Sequence, residues 1–131
     1  MNKYTELSDF EINKKVADLI GATPYPTGLT EYHRSAVCGM ENAIIIKSPR
    51  KVGAFAPCNN PSDAWDIIIE NRINLRTVDG YMDWYADHPT NSRIYSHNIN
   101  PLRAAMEVYL LMKDAENNNE TSSSNDDASI N

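Results

Sequence analysis

Two Asn-Pro steps, Asn60-Pro61 and Asn100-Pro101, constrain this chain more than any other feature. An asparagine oxygen can accept from a backbone N–H two or three residues on. A proline in the next position has no N–H to leave unpaired, and its φ already lies near the helical value. Each step therefore predicts a helix start, and the residues that follow agree. After the first, Asp63 falls at the third helical position, where a carboxylate suits the helix dipole, and Ala64, Trp65, Ile68 and Ile69 are spaced to form a buried face. After the second, Leu102, Met106, Tyr109 and Leu110 recur at helical spacing. Arg103 stands in the first turn, where the dipole disfavours a cation, so it is expected to serve a tertiary partner, with Asp9 or Asp63 as its mate.

A further helix is predicted from Ser8, the N-cap of Leu7-Ser8-Asp9-Phe10-Glu11-Ile12, in which Ser8 and Glu11 satisfy each other's free backbone N–H groups. Ile12, Val16, Leu19 and Ile20 make its apolar stripe, Asn13, Lys14, Lys15 and Asp18 lie off it, and Gly21 ends it. Residues 43–47 and 52–56 are β-prone runs flanking Ser48-Pro49-Arg50-Lys51, which reads as a hairpin with a solvated basic turn. Ile73 to Val78 is a strand expected to pair with that hairpin, and Asp79-Gly80 leads into a strand over Tyr81 to Tyr85. Residues 22–40 are irregular, with one short strand near Ser35 to Cys38. The expectation is an α+β fold: a small, mostly antiparallel sheet with about three helices, in one domain over residues 1–114. Residues 115–131 are too polar to offset the entropy of ordering them and are expected to form a disordered tail.

That tail holds four acids and no cation, so of the formal net charge of -6 it leaves the body near -2. Phosphate binding relies on clustered Lys and Arg, and Lys47, Arg50 and Lys51 are too few to carry it, so nucleic acid is not an expected partner. Two cysteines without CxxC spacing, no secretory leader and no long apolar run point to a cytoplasmic, thiol-reduced protein that does not enter a membrane.

Three segments, LSDFEINKKVA (7–17), PCNNPSDAWDIIIENRI (57–73) and NPLRAAMEVYLLMK (100–113), resemble the phage NinX-like family, small proteins of lambdoid phages and integrated prophages. The resemblance covers about a third of the chain, in order, and implies an accessory gene product of a temperate phage in a bacterial host. It transfers no catalytic or binding residue, and leaves 22–56 and 79–99 unmatched.

Two places carry candidate chemistry. Cys58, Asn59, Asn60 and Asp63 surround the mouth of a helix, where the dipole suits a thiolate or a small nucleotide-like anion; capping and packing explain the same residues. Tyr81, Trp84, Tyr85, His88 and Tyr95 form an aromatic-rich stretch suited to a partner surface or to self-association, although part of it can equally be core. Asp79, Asp83 and Asp87 recur every four residues before His88, a pattern that suits a divalent cation but reads more simply as acids facing water. Cys38, Cys58, His33 and His97 have the number but not the spacing of zinc ligands. No catalytic residue, metal site or cofactor is assigned. The expected function is a non-enzymatic accessory protein binding a host or phage macromolecule. The alternatives are an anion binder at residues 57–63 and, last, a hydrolase using Cys58 or Asp83 and Asp87.

Overall fold

The computed structural model describes residues 2–118. Helix α1 (Asp9–Leu19) precedes β1 (Thr23–Pro24), β2 (Ile44–Lys47) and β3 (Val52–Phe55); α2 (Pro61–Glu70) leads to β4 (Asn74–Thr77), β5 (Trp84–Asp87) and β6 (Tyr95–Asn98), and α3 (Pro101–Ile130) closes the chain. The fold is α+β, with three helices and two three-stranded antiparallel sheets, β1-β2-β3 and β4-β5-β6. Helix α3 is the common support: the second sheet lies across it, α1 and α2 pack on it, and the first sheet meets α1 through β2. Residues 115–118 of the expected tail continue α3, with Ala115 half-buried against the core. Those from 119 onward lie outside the described residues.

The three predicted caps form. Ser8 Oγ accepts from the Glu11 N–H at 3.1 Å, Asn60 Oδ1 from the Ser62 N–H at 3.1 Å, and Asn100 Oδ1 from the Leu102 N–H at 2.9 Å. Glu11 does not reciprocate at Ser8; its carboxylate pairs with Lys14 at 3.2 Å instead. Gly21, at φ 80°, lets the Ala22 N–H fold back to the Ala17 carbonyl at 3.0 Å.

The hairpin also forms, with Lys47 opposite Val52 around the Ser48–Lys51 turn. Its cations are paired rather than merely solvated: Arg50 holds Asp66 at 2.9 Å and Glu70 at 2.5 Å, and Lys51 holds Asp63 at 2.6 Å. Asp63 also accepts from the Ala56 N–H at 2.9 Å. These bonds set the rotation of α2. Ala64, Ile67 and Ile68 therefore face the core, whereas Trp65 and Ile69, expected inside, are exposed.

Four other expectations are corrected. Strand β4 does not pair with the hairpin; it joins β5 and β6 in the second sheet. The strand expected over 81–85 begins only at Trp84. Around Ser35 to Cys38 there is no strand, only a bridge from Arg34 to Ile44. Strand β6 was not expected, because its inward-facing residue is a serine rather than an apolar side chain: Ser96 is buried and donates to Glu107 at 2.6 Å.

Glu107 belongs to the network that joins the elements. Arg103, buried, gives its Nε to Glu107 at 2.6 Å, Nη1 to Asp9 at 2.7 Å, and Nη2 to the carbonyls of Tyr4 at 2.9 Å and Leu7 at 2.7 Å. Of its two expected mates, Asp9 is the one it meets. The other face of Glu107 accepts from Ser96 and from Asn2 Nδ2 at 2.8 Å. Among the described residues no buried side-chain nitrogen or oxygen lacks a partner. Removing one member of such a buried pair strands the others without water. Arg103→Ala is therefore expected to lower the free energy of unfolding by about 3–5 kcal/mol in urea titration; a loss below about 1 kcal/mol would show the network to be dispensable.

Candidate functional site

The α2 mouth and the second sheet are the two places to examine. At the first, the turn from Ala56 to Asn60 brings the Asn59 and Asn60 N–H groups to the Ala56 carbonyl at 2.9 and 2.8 Å, and this rolls Cys58 inward. Cys58 has no exposed surface. Its N–H donates to Asn13 Oδ1 at 3.0 Å and its carbonyl accepts from Asn100 Nδ2 at 2.7 Å. Burial, and then the nearby Asp9 charge, push its thiol well above the ordinary range. Cys58 is thus a core residue, and its side chain does not line the hollow at the α2 mouth.

Asn59, Asn60 and Asp63 do line a hollow, of about 210 Å³, shared with the Gly39–Ala43 segment. Its lining holds no cation, and the adjacent Lys51 is already paired with Asp63 at 2.6 Å. Asp63 is joined there by Glu41, whose carboxyl is held below its usual range by the Gly39 N–H at 2.9 Å. The Asn59 amide is already committed, donating to Asp9 at 3.0 Å and accepting from Asn13 at 3.4 Å. Asn13, expected on the outer face of α1, is the residue sequence reasoning missed: it is fully buried and also donates to the Asn42 carbonyl at 2.9 Å. A polar residue next to Ile12 at the buried stripe was the available signal, and helical spacing alone hid it.

On the second sheet, Tyr85 and His97 face each other across β5 and β6 and stack with centroids 5.1 Å apart. The Arg76 guanidinium lies 5.4 Å from the Tyr85 ring and pairs with Asp87 at 3.2 Å. Asp83 meets His97 Nδ1 at 2.8 Å, and Asn74 donates to Asp87 at 2.9 Å. Tyr95 shares this outward face by strand alternation and is exposed. Tyr81 stands in the turn before β5, 66% exposed, beside Met82 at 82%. Trp84 points to the opposite face at the open end of the sheet and is only partly covered.

His88 separates from this group. Its Nδ1 accepts from the Thr90 and Asn91 N–H groups at 3.0 and 2.9 Å, which closes the turn between β5 and β6. The structure therefore brings Tyr85 and Tyr95 together with His97 and Arg76, which were not in the expected set, and leaves His88 as a turn residue. Among the described residues no three His, Cys, Asp or Glu side chains gather as metal ligands, and no helix is long and apolar enough to cross a membrane. Cys38 is exposed and Cys58 buried.

A family model described as "Bacteriophage P22, NinX" matches residues 3–113. The chain belongs to the phage P22 NinX family. The match takes in all three resembling segments and also the stretches between them, so both candidate places lie within the NinX region. No curated protein and no solved structure matches this NinX chain.

Three outcomes follow for the thiol and amide chemistry. A thiol reagent is expected to modify Cys38 in the native protein and to reach Cys58 only after denaturant is added; prompt labelling of both would contradict the buried assignment. Because the Cys58 thiol holds its proton to higher pH when folded, its stabilising contribution is complete below the ordinary value of about 9.0 and falls as pH rises past it. Between pH ~9 and ~10 the unfolding free energy of wild type should decline by up to about 1.4 kcal/mol more than that of Cys58→Ala. Asn13→Ala leaves the Cys58 N–H and Asn42 carbonyl unpaired and is expected to cost about 2 kcal/mol in the same titration.

Proposed function

We propose that this NinX chain is a non-enzymatic phage accessory protein that binds a protein of the host or phage through the outward face of β4-β5-β6 and the turn before β5. The observation that carries the reading is the exposure of Tyr81 and Met82 side by side in the turn before β5, at the end of the sheet whose outward face carries Tyr85 and His97. A protein gains nothing from holding such groups in water, and singly scattered ones need no account, but two adjacent ones as exposed as Tyr81 and Met82 do. Tyrosine and tryptophan bury large area with few rotors to freeze, and methionine adapts to an irregular partner.

Charge supports a protein over a nucleic acid. On this face Arg76 is already neutralised by Asp87, and His97 lies against Asp83, so no row of free cations offers itself to phosphates. The inward Cys58 and the two carboxylates at the α2 hollow weigh against the thiol and anion alternatives. The reading places the protein in the bacterial cytoplasm, with both cysteines free.

Affinity capture from infected cells is the test, with the unaltered chain beside a Tyr81→Ala, Met82→Ala double variant. One stoichiometric protein should be recovered by the former, and its binding should weaken by roughly ten- to a hundredfold in the variant at unchanged melting temperature. Equal recovery by both chains, or no partner in repeated captures, would rule the reading out.

A further inference from the structure

Strand β6 forms one margin of the second sheet. The phase of its hydrogen bonds follows from one contact just beyond the strand, where the His88 N–H donates to the Ile94 carbonyl at 2.9 Å. In an antiparallel pair, hydrogen-bonded and non-hydrogen-bonded positions alternate. Carried along the register, Ala86 with Ser96 and Trp84 with Asn98 are hydrogen-bonded pairs, whereas Tyr85 with His97 and Asp87 with Tyr95 are not. The N–H and C=O groups of Tyr95 and His97 therefore point off the margin, away from β5. No other described segment supplies them a backbone partner.

Margins of this kind are usually guarded by lysine, proline, a bulge or an inward charge, because free ladder groups recruit another strand. Tyr95-Ser96-His97-Asn98 has none of these. A groove of about 320 Å³ runs beside it, bordered by Asn2, Thr5 and Leu111.

We infer that β6 pairs antiparallel with β6 of a second copy about a two-fold axis at Ser96, joining the two three-stranded sheets into one continuous sheet. The hydrogen-bond phase admits only registers that set outward positions opposite outward positions, and of these the axis at Ser96 is the one that engages both outward residues of the strand with each other. The outward groups sit at 95 and 97, and a two-fold axis through 96 sets Tyr95 of each copy opposite His97 of the other, in hydrogen-bonded pairs of the right phase. The side chains then agree with the backbone. Tyr95 then lies opposite an imidazole across the seam, in a hydrogen-bonded pair where Tyr85 and His97 form a non-hydrogen-bonded one, and no like-signed Lys, Arg, Asp or Glu faces its equivalent. A foreign strand can satisfy the same backbone groups, but only a second copy repeats this aromatic register. Tyr81 and Met82 take no part in the seam, so the dimer stands or falls independently of the protein partner proposed above.

Sedimentation equilibrium of the full chain, paired with hydrogen exchange of backbone amides across a concentration series, tests the pairing. A reversible dimer is expected, with slowing of exchange at Tyr95 and His97 as it forms. Leu75 and Thr77, whose N–H groups point off the opposite margin, should not change. Tyr95→Pro removes an N–H that faces the seam and not β5, and Tyr95→Lys sets an ammonium against the second copy. Each is expected to weaken the dimer at least about tenfold. A chain that stays monomeric to millimolar concentration overturns the inference, as does a dimer with no slowing at Tyr95 and His97, or a folded Tyr95→Lys chain that dimerises as tightly as wild type. Should Tyr95→Pro fail to fold, the lysine variant and the exchange data on the unaltered chain decide.

Discussion

The guanidinium of Arg103 is the interaction on which the rest of the molecule depends. A charge taken out of water is costly unless its partners replace the lost hydration, and here two carboxylates and two carbonyls do so. Those partners come from the N-terminal segment, the start of α1 and α3 itself. Glu107 extends the same network through Ser96 to β6. One buried cation thus sets where α1 enters, how the N-terminal segment lies and how close the second sheet sits on α3. Because the inward side of that sheet is held this way, its outward side is left to water with Tyr85, His97, Arg76 and Tyr95 at fixed positions.

Asparagine side chains extend the same logic to the other end of the core. Asn100 caps α3 with its oxygen and holds the Cys58 carbonyl with its nitrogen, so the start of one helix is tied to the approach of another. Asn13 completes the junction from α1, accepting from Cys58 and donating to the Asn42 carbonyl. Each amide uses both a donor and an acceptor, which is why these groups tolerate full burial. The same commitment leaves the α2 mouth with little free chemistry. Its thiol is inward, its amides are engaged and its hollow carries carboxylates.

What remains for function is surface. The second sheet presents two distinct features, an outward face with an apolar turn at its end and a margin whose ladder groups are free. They act through different physics: area removed from water in one case, directional hydrogen bonds in the other. They also use different residues, Tyr81 and Met82 for the first and the backbone of Tyr95 and His97 for the second.

Helix starts were legible because capping is local: Ser8, Asn60 and Asn100 need only a backbone N–H two or three residues away, which the sequence supplies by itself. The hairpin was legible for the same reason, since its turn and its two β-prone runs are adjacent. The partner of Arg103 could be narrowed to Asp9 or Asp63 because a cation in a helix's first turn needs an acid, but the choice depended on Lys51 and Ala56 claiming Asp63. Three-dimensional packing alone decided the rest. The face of α2 was settled by ion pairs to the hairpin, since the stripe through Ala64, Ile67 and Ile68 and the one through Trp65, Ile68 and Ile69 are equally apolar in sequence. Burial of Asn13, the inward turn of Cys58 and the strand at Tyr95–Asn98 depended on partners 45, 42 and 11 positions away, groups that no local pattern places. The aromatic cluster was visible as composition. Which of its rings share a face was set by β5–β6 register, because a shift of one residue would have sent every side chain to the other side.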